Sequence, residues 1–159
     1  MITAKFTGDG NYFEDFEVGF IMRHARGKTV GETENVLITN LVMNTADGHF
    51  NEDAMKKSPF GQRLSFGGVN FSLVIGLAMQ DTGENALQEI GLDKIQLKNP
   101  VFHGDTIYAY SEVLEKSNGA REDAGEVTFR HWGVNQNKKI VAQLERRVLI
   151  KRKSHWADK

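Results

Sequence analysis

Phe66-Gly67-Gly68-Val69-Asn70-Phe71-Ser72-Leu73-Val74-Ile75-Gly76-Leu77-Ala78-Met79 is the stretch on which the reading of this chain turns. Between Val69 and Met79 only Asn70 and Ser72 carry polar side chains. A helix so apolar around its circumference has hardly a face to leave in water, so the rest of the chain must wrap it. It holds roughly half of the ~20 apolar residues that a membrane span requires, and therefore reads as a buried helix. The glycine pair before it reads as the turn from which it starts.

On the C-terminal side the period of the pattern changes. Leu87 to Leu97, Thr106 to Leu114, Val127 to Val134 and Ile140 to Ile150 are β-prone. The turn clusters Lys98-Asn99-Pro100, Ser117-Asn118-Gly119 and Asn135-Gln136-Asn137 separate them, which predicts a meander of long antiparallel strands. On the N-terminal side Tyr12 to Val18 is a short amphipathic lead-in, and Phe20 to Val30 reads as a strand. Thr33 is placed to cap a helix of about three turns that carries Val36, Leu37, Leu41 and Val42 and ends near Asn44. Thr45 to Phe50 reads as a loop, and Asn51 caps a second short helix that Ser58, Pro59 and Gly61 stop. Helical elements followed by a run of strands predict an α+β fold, a curved antiparallel sheet wrapped around a long central helix, as in the hot-dog fold. One domain over residues 1–159 is expected, with its core at about 12–150 and a polar tail, 151–159, that frays.

Composition removes several classes of function. With 40% hydrophobic and 26% charged residues, 16 glycines and 2 prolines, the chain is neither disordered, collagen-like nor a solenoid. A net charge of -1 supplies no global field for nucleic acid or an anionic membrane, and neither is expected as a partner. The absence of cysteine excludes disulfides, thiol nucleophiles and iron–sulfur clusters, and it fits a cytoplasmic location. Met1 to Phe16, with Asp9, Glu14 and Asp15, lacks the apolar run of an export signal. His24, His131 and His155 have no partners at ligand spacing, so no metal site is expected.

Asn44 to His49 concentrates the polar chemistry. Histidine can take and return a proton near neutrality, and a nearby asparagine can hold a water without ionising. The same residues also read as a helix C-cap and an ordinary loop histidine. Gly67 and Gly68 can bring backbone N–H groups close to a ligand carbonyl at a helix N-terminus, or simply start a crowded helix.

Five segments together resemble one family. They are Glu34-Asn35-Val36-Leu37, Met43-Asn44 through His49, Lys57 through Leu64, Phe102-His103-Gly104-Asp105-Thr106 and Val141-Ala142-Gln143. Over Tyr12 to Ile150 the chain resembles the MaoC-like dehydratases, hot-dog proteins that add water to or remove it from acyl-CoA thioesters. The likeness is strongest to the mesaconyl-CoA hydratase-like branch and the (R)-specific enoyl-CoA hydratases. The resemblance implies catalytic roles for Asn44, His49 and Gly67; beside them Arg63, Phe66 and Gly68 are the candidate substrate-binding residues. Asn44 stands where the wider family has an aspartate, so His49 would be the ionising member. Ile75 stands where a serine supports that aspartate, and Ala46 and Asp47 replace a loop proline.

An α,β-unsaturated acyl-CoA is the implied partner, and coenzyme A enters as part of the substrate, with no separate cofactor. Arg63 can pair with a substrate carboxylate or with a surface carboxylate of the chain. The basic run Arg146, Arg147, Lys151, Arg152, Lys153 can meet phosphates or end a solvated strand. His103 reads as structural. An open sheet edge predicts a homodimer or higher homo-oligomer. Hydrolysis of an acyl thioester, or acyl-CoA binding without turnover, are the competing functions.

Overall fold

The computed structural model describes residues 10–157 and the backbone of residues 2 and 3. Of the opening segment read against an export signal, residues 1 and 4–9, Asp9 included, lie outside the described residues, as do the last two residues of the tail. In chain order the elements are β1 (Ile2–Thr3), a 3-10 turn (Phe13–Asp15), β2 (Ile21–Thr29), α1 (Glu32–Leu41), α2 (Asp47–Phe50), α3 (Glu52–Lys56) and α4 (Gly67–Thr82). They are followed by β3 (Ala86–Leu97), β4 (Thr106–Ser117), β5 (Ala124–Asn135), β6 (Ile140–Lys151) and α5 (Lys153–Trp156).

The strands form one open sheet in the order β1-β2-β4-β5-β6-β3. β1 runs parallel to β2, and every other pair is antiparallel. This corrects the predicted meander, which holds only for β4, β5 and β6. β3 pairs with β6 at the far edge, and residues 98–105 carry the chain back across to β4. Hydrogen bonds from Lys98 N–H to Val141 O and from Ser65 N–H to Val101 O lash that return in place.

Period-two alternation turns one side of each inner strand to the core, part of it against α4 and part against the segment around Phe13 and Phe16. Ile107, Ala109, Ser111 and Val113 of β4 face inward with Val127, Phe129 and His131 of β5. Two clusters form the core, one around Phe16, Met22, Val113 and Phe129, the other around Val30, Val74, Ile107 and Leu144. At Gly133 a Cβ would lie 2.5 Å from Val74 Cγ2, so glycine there is what lets α4 approach the sheet.

Four local expectations need correction. Thr33 does not cap α1: Gly31 is the N-cap, and Glu34 reaches back to accept its N–H at 3.0 Å. Residues Asp47–Phe50 form a helical turn rather than a loop. The sheet covers only one side of α4, burying Val69, Val74 and Ala78, while Ser72, Gly76 and Met79 stay exposed. The tail expected to fray is tied down as far as Trp156, whose Nε1 donates to Asp123 O at 3.1 Å. The Asn51 cap is present, its Oδ1 accepting from Ala54 N–H at 3.0 Å.

His24 and His131, unpartnered by sequence spacing, meet inside the sheet. His24 Nδ1 donates to Asp81 Oδ2 at 2.5 Å, and its Nε2 lies 2.6 Å from Ser111 Oγ. Ser111 Oγ also lies 2.6 Å from His131 Nδ1. Burial, aided by the positive charge of Arg146 and by the neighbouring His24, pushes His131 well below the ordinary histidine range. Among the described residues no helix is long and apolar enough to cross a membrane.

Candidate active site

Asn44 follows α1 directly. Its backbone N–H donates to Thr39 O at 3.0 Å, and its Oδ1 accepts from Ala46 N–H at 3.0 Å, an Asx turn that starts α2. The carboxamide oxygen is thereby engaged. Nδ2, which makes no hydrogen bond among the described residues, is the group Asn44 can offer a ligand, and it can only donate.

His49 lies on α2, half-buried. Its Nδ1 is 2.9 Å from Leu64 O. A carbonyl oxygen only accepts, so the proton resides on Nδ1, and in the neutral ring Nε2 carries the lone pair. Nε2 has no partner among the described residues. Leu64 N–H donates to Gly48 O at 2.9 Å, which zips α2 to the segment leading into α4. The imidazole therefore sits beside the head of α4, its centroid 5.6 Å from that of Phe66.

Phe66 is the N-cap of α4 and supplies no capping side chain. The N–H groups of Gly67 and Gly68 are first-turn donors without intrahelical partners, at the positive end of the helix dipole. A Cβ at Gly68 would collide with the Phe66 ring, and one at Gly67 with the Leu97 side chain. His49, Phe66, Gly67 and Gly68 are thus brought together at one end of α4. Ile75 lies further along the helix, half-buried and without a polar atom to offer.

The head of α4 is held from beneath by residues whose roles the sequence did not reveal. Phe66 N–H donates to Asn35 Oδ1 at 2.9 Å, and Ser65 Oγ donates to Asn70 Oδ1 at 2.6 Å. Asn35 Nδ2 reaches His103 Nε2 at 3.0 Å. Asn35 and His103 lie in two of the segments that carry the family resemblance, yet neither sits in a pattern that marks it.

Arg63 is committed within the chain. Its Nε donates to Glu52 Oε2 at 2.8 Å and its Nη2 to Glu32, joining α3 to α1. Those bonds hold the guanidinium pKa up and draw Glu32 below the usual carboxylate range. The basic run is likewise spoken for. Buried Arg146 grips Glu89 with two bonds at 2.7 and 2.8 Å, Arg152 Nη2 donates to Asn118, Lys153 pairs with Asp15, and Lys151 lies over the Trp156 ring.

A helix cradled by an open antiparallel sheet, with a histidine lone pair beside uncapped helix N–H donors, defines a hot-dog protein of the MaoC-like class. The chain belongs to the mesaconyl-CoA hydratase family, which it matches over residues 2–152. It is 37% identical over 124 residues to beta-methylmalyl-CoA dehydratase of Chloroflexus aurantiacus, covering 77% of this chain and 35% of that one. It is 33% identical over 155 residues to mesaconyl-CoA hydratase of Haloarcula marismortui, covering 91% and 43%. A solved MaoC domain protein from Chloroflexus aurantiacus superposes with a TM-score of 0.83 at 32% identity, over 91% of this chain and 46% of that one. The chain thus spans less than half the length of these relatives.

Proposed function

We propose that this chain is the hot-dog unit of a hydro-lyase that adds water across, or removes it from, the carbon–carbon double bond of an enoyl-CoA. The favoured substrate is a branched, dicarboxylic thioester such as mesaconyl-CoA, the molecule for which the family is named. One observation carries the reading: the Nε2 of His49 has no partner among the described residues, and its ring lies 5.6 Å from that of Phe66, the N-cap from which the Gly67 and Gly68 N–H groups follow.

In the hydration direction, His49 Nε2 takes a proton from water as the water oxygen bonds to the β-carbon. The π pair moves to the α-carbon and onto the thioester oxygen, where the Gly67 and Gly68 N–H groups meet the charge. The imidazolium then returns its proton to the α-carbon, so atoms and charge balance without a metal or redox cofactor. Asn44 donates through Nδ2 and orients the water or the product hydroxyl. A substrate carboxylate can use Arg63 only by competing with Glu32 and Glu52 for the guanidinium.

The test is turnover of crotonyl-CoA and mesaconyl-CoA by wild type, His49→Ala and Asn44→Ala. His49→Ala should lose about 10²- to 10⁴-fold in kcat. Asn44→Ala should lower kcat and leave the shape of the pH profile unchanged. Undiminished turnover in His49→Ala, or release of free thiol in place of hydration, overturns the reading.

A second copy of the chain is expected to complete the assembly. β3 is an unpaired edge carrying exposed Leu92, Ile95 and Leu97, and Leu97 lies against Gly67. Leu37 and Leu41 of α1 and Met43 just after it are also exposed. An open edge and exposed apolar side chains of this kind call for a cover that this chain does not itself supply. Light scattering that returns a monomer would overturn the dimer. A cytoplasmic location fits the cysteine-free composition.

A further inference from the structure

The proposed reaction leaves unused a fully buried carboxamide and a histidine that meet beneath the head of α4. Asn35 is 0% exposed, and an obligate donor fixes which way round its amide lies. Phe66 N–H can only donate, so the Asn35 atom 2.9 Å away is Oδ1, and Nδ2 must be the atom facing His103 Nε2 at 3.0 Å. An amide N–H also only donates, so His103 Nε2 must offer a lone pair. The His103 ring is therefore neutral, with its proton on Nδ1. Protonating Nε2 would set N–H against N–H, and turning Asn35 over to relieve that clash would break its bond to Phe66.

Charged or titratable groups surround this ring from each neighbouring element: Glu32 of α1, His49 of α2, Glu52 of α3, and Arg63 of the segment before α4. Burial, then Arg63 and His49, disfavour a cation there, and the two glutamates favour one. Both glutamates are already engaged by Arg63. The balance holds His103 below the ordinary histidine value.

We propose that Asn35 and His103 are positioning residues for the reaction. Neutral His103 holds Asn35, and Asn35 holds the Phe66 amide from which the Gly67 and Gly68 donors follow. The inference rests on the reading that those N–H groups receive the thioester oxygen. Protonation of His103 releases the head of α4, so the site loses competence on the acid side through a proton distinct from the one His49 carries.

Long-range nitrogen–proton NMR of histidine-labelled protein reads the tautomer directly. His103 should show a protonated Nδ1 and a bare Nε2 at pH 7.5, and the Phe66, Gly67 and Gly68 amides should shift with its midpoint as pH falls. His103→Gln places a non-titrating Oε1 opposite Asn35 Nδ2, so that amide titration should vanish. The acid limb of kcat should soften from about a hundredfold loss per pH unit to about tenfold. Asn35→Asp keeps an acceptor for Phe66 N–H but presents an oxygen to His103, and should move the amide midpoint to higher pH. A protonated Nε2 in neutral wild type, amides that ignore His103, or an unchanged acid limb in His103→Gln overturns the proposal. Inactivity on every enoyl thioester with the amide titration intact would instead sink the hydro-lyase reading and leave the Asn35–His103 linkage standing.

Discussion

The two ends of α4 carry similar side chains in opposite states. At its tail, Asp81, His24, Ser111 and His131 form a chain of short hydrogen bonds in the order a hydrolytic triad would use. Yet His24, Ser111 and His131 are at most 1% exposed, and Ser111 is enclosed between two histidines. At its head, His49 is only half-buried, one nitrogen fixed and the other open, beside helix donors that nothing caps. Chemistry needs a lone pair and a donor that a substrate can reach. A sealed network that no substrate reaches stabilises the fold and catalyses nothing, even though His131 Nε2 at its end has no hydrogen-bond partner among the described residues.

Exchanging the fate of the two histidines gives the largest contrast. His49→Ala should cost 10²- to 10⁴-fold in turnover, on the order set by a lost acid–base group, with a thermal midpoint close to wild type. His24→Ala should reverse that pattern, because it leaves Asp81 buried without its partner and costs about 3 kcal/mol or more of stability in denaturant titration. Next comes Ser111→Ala, which strands a nitrogen of each flanking histidine and should destabilise by about 2 kcal/mol with turnover per folded molecule retained.

The pH dependence sharpens the comparison further. Because folding lowers the His131 pKa, the neutral ring is the folded form, and its contribution is complete above the unfolded value near 6.5 and lost as pH falls. The unfolded chain binds the extra proton, so stability should fall by up to about 1.4 kcal/mol per pH unit per such group below that value. His131→Gln should flatten this slope in denaturant melts at pH 7 and pH 5; His103→Gln should flatten it too, because folding also lowers that pKa, and should in addition act on the acid limb of activity. The smallest effect belongs to a solvent-exposed pair: Lys57→Ala, which removes the i,i+4 contact to Asp53 at 2.7 Å, should cost at most about 0.5 kcal/mol and leave kcat unchanged.

Much of the fold was legible because it is written in local periods. The alternation in Thr106–Ser117, Ala124–Asn135 and Ile140–Lys151 and the apolar run of α4 are visible residue by residue. The Asn51 cap was equally legible, since its partner is three residues away. Thr33 misled because a hydroxyl in the right place competes with a glycine that needs none, once Glu34 folds back onto it. The apolar circumference of α4 overstated its burial, since hydrophobicity records what a surface prefers and not whether a single copy of the chain can cover it.

Sequence alone therefore determined the four long antiparallel strands, the strand before α1 and the longer helices, and the kinds of group at the candidate site: an imidazole at His49, an amide at Asn44 and a bare backbone at Gly67 and Gly68. Tertiary structure alone decided that β3 crosses to the far edge, that Arg63 is neutralised by Glu32 and Glu52, and that Asn35 joins His103 to Phe66. It also decided that Ser111 meets a histidine 87 positions away. The physical reason is range. Periodicity and capping are satisfied within a few residues, whereas these contacts exist only after strand order and register have brought distant segments together.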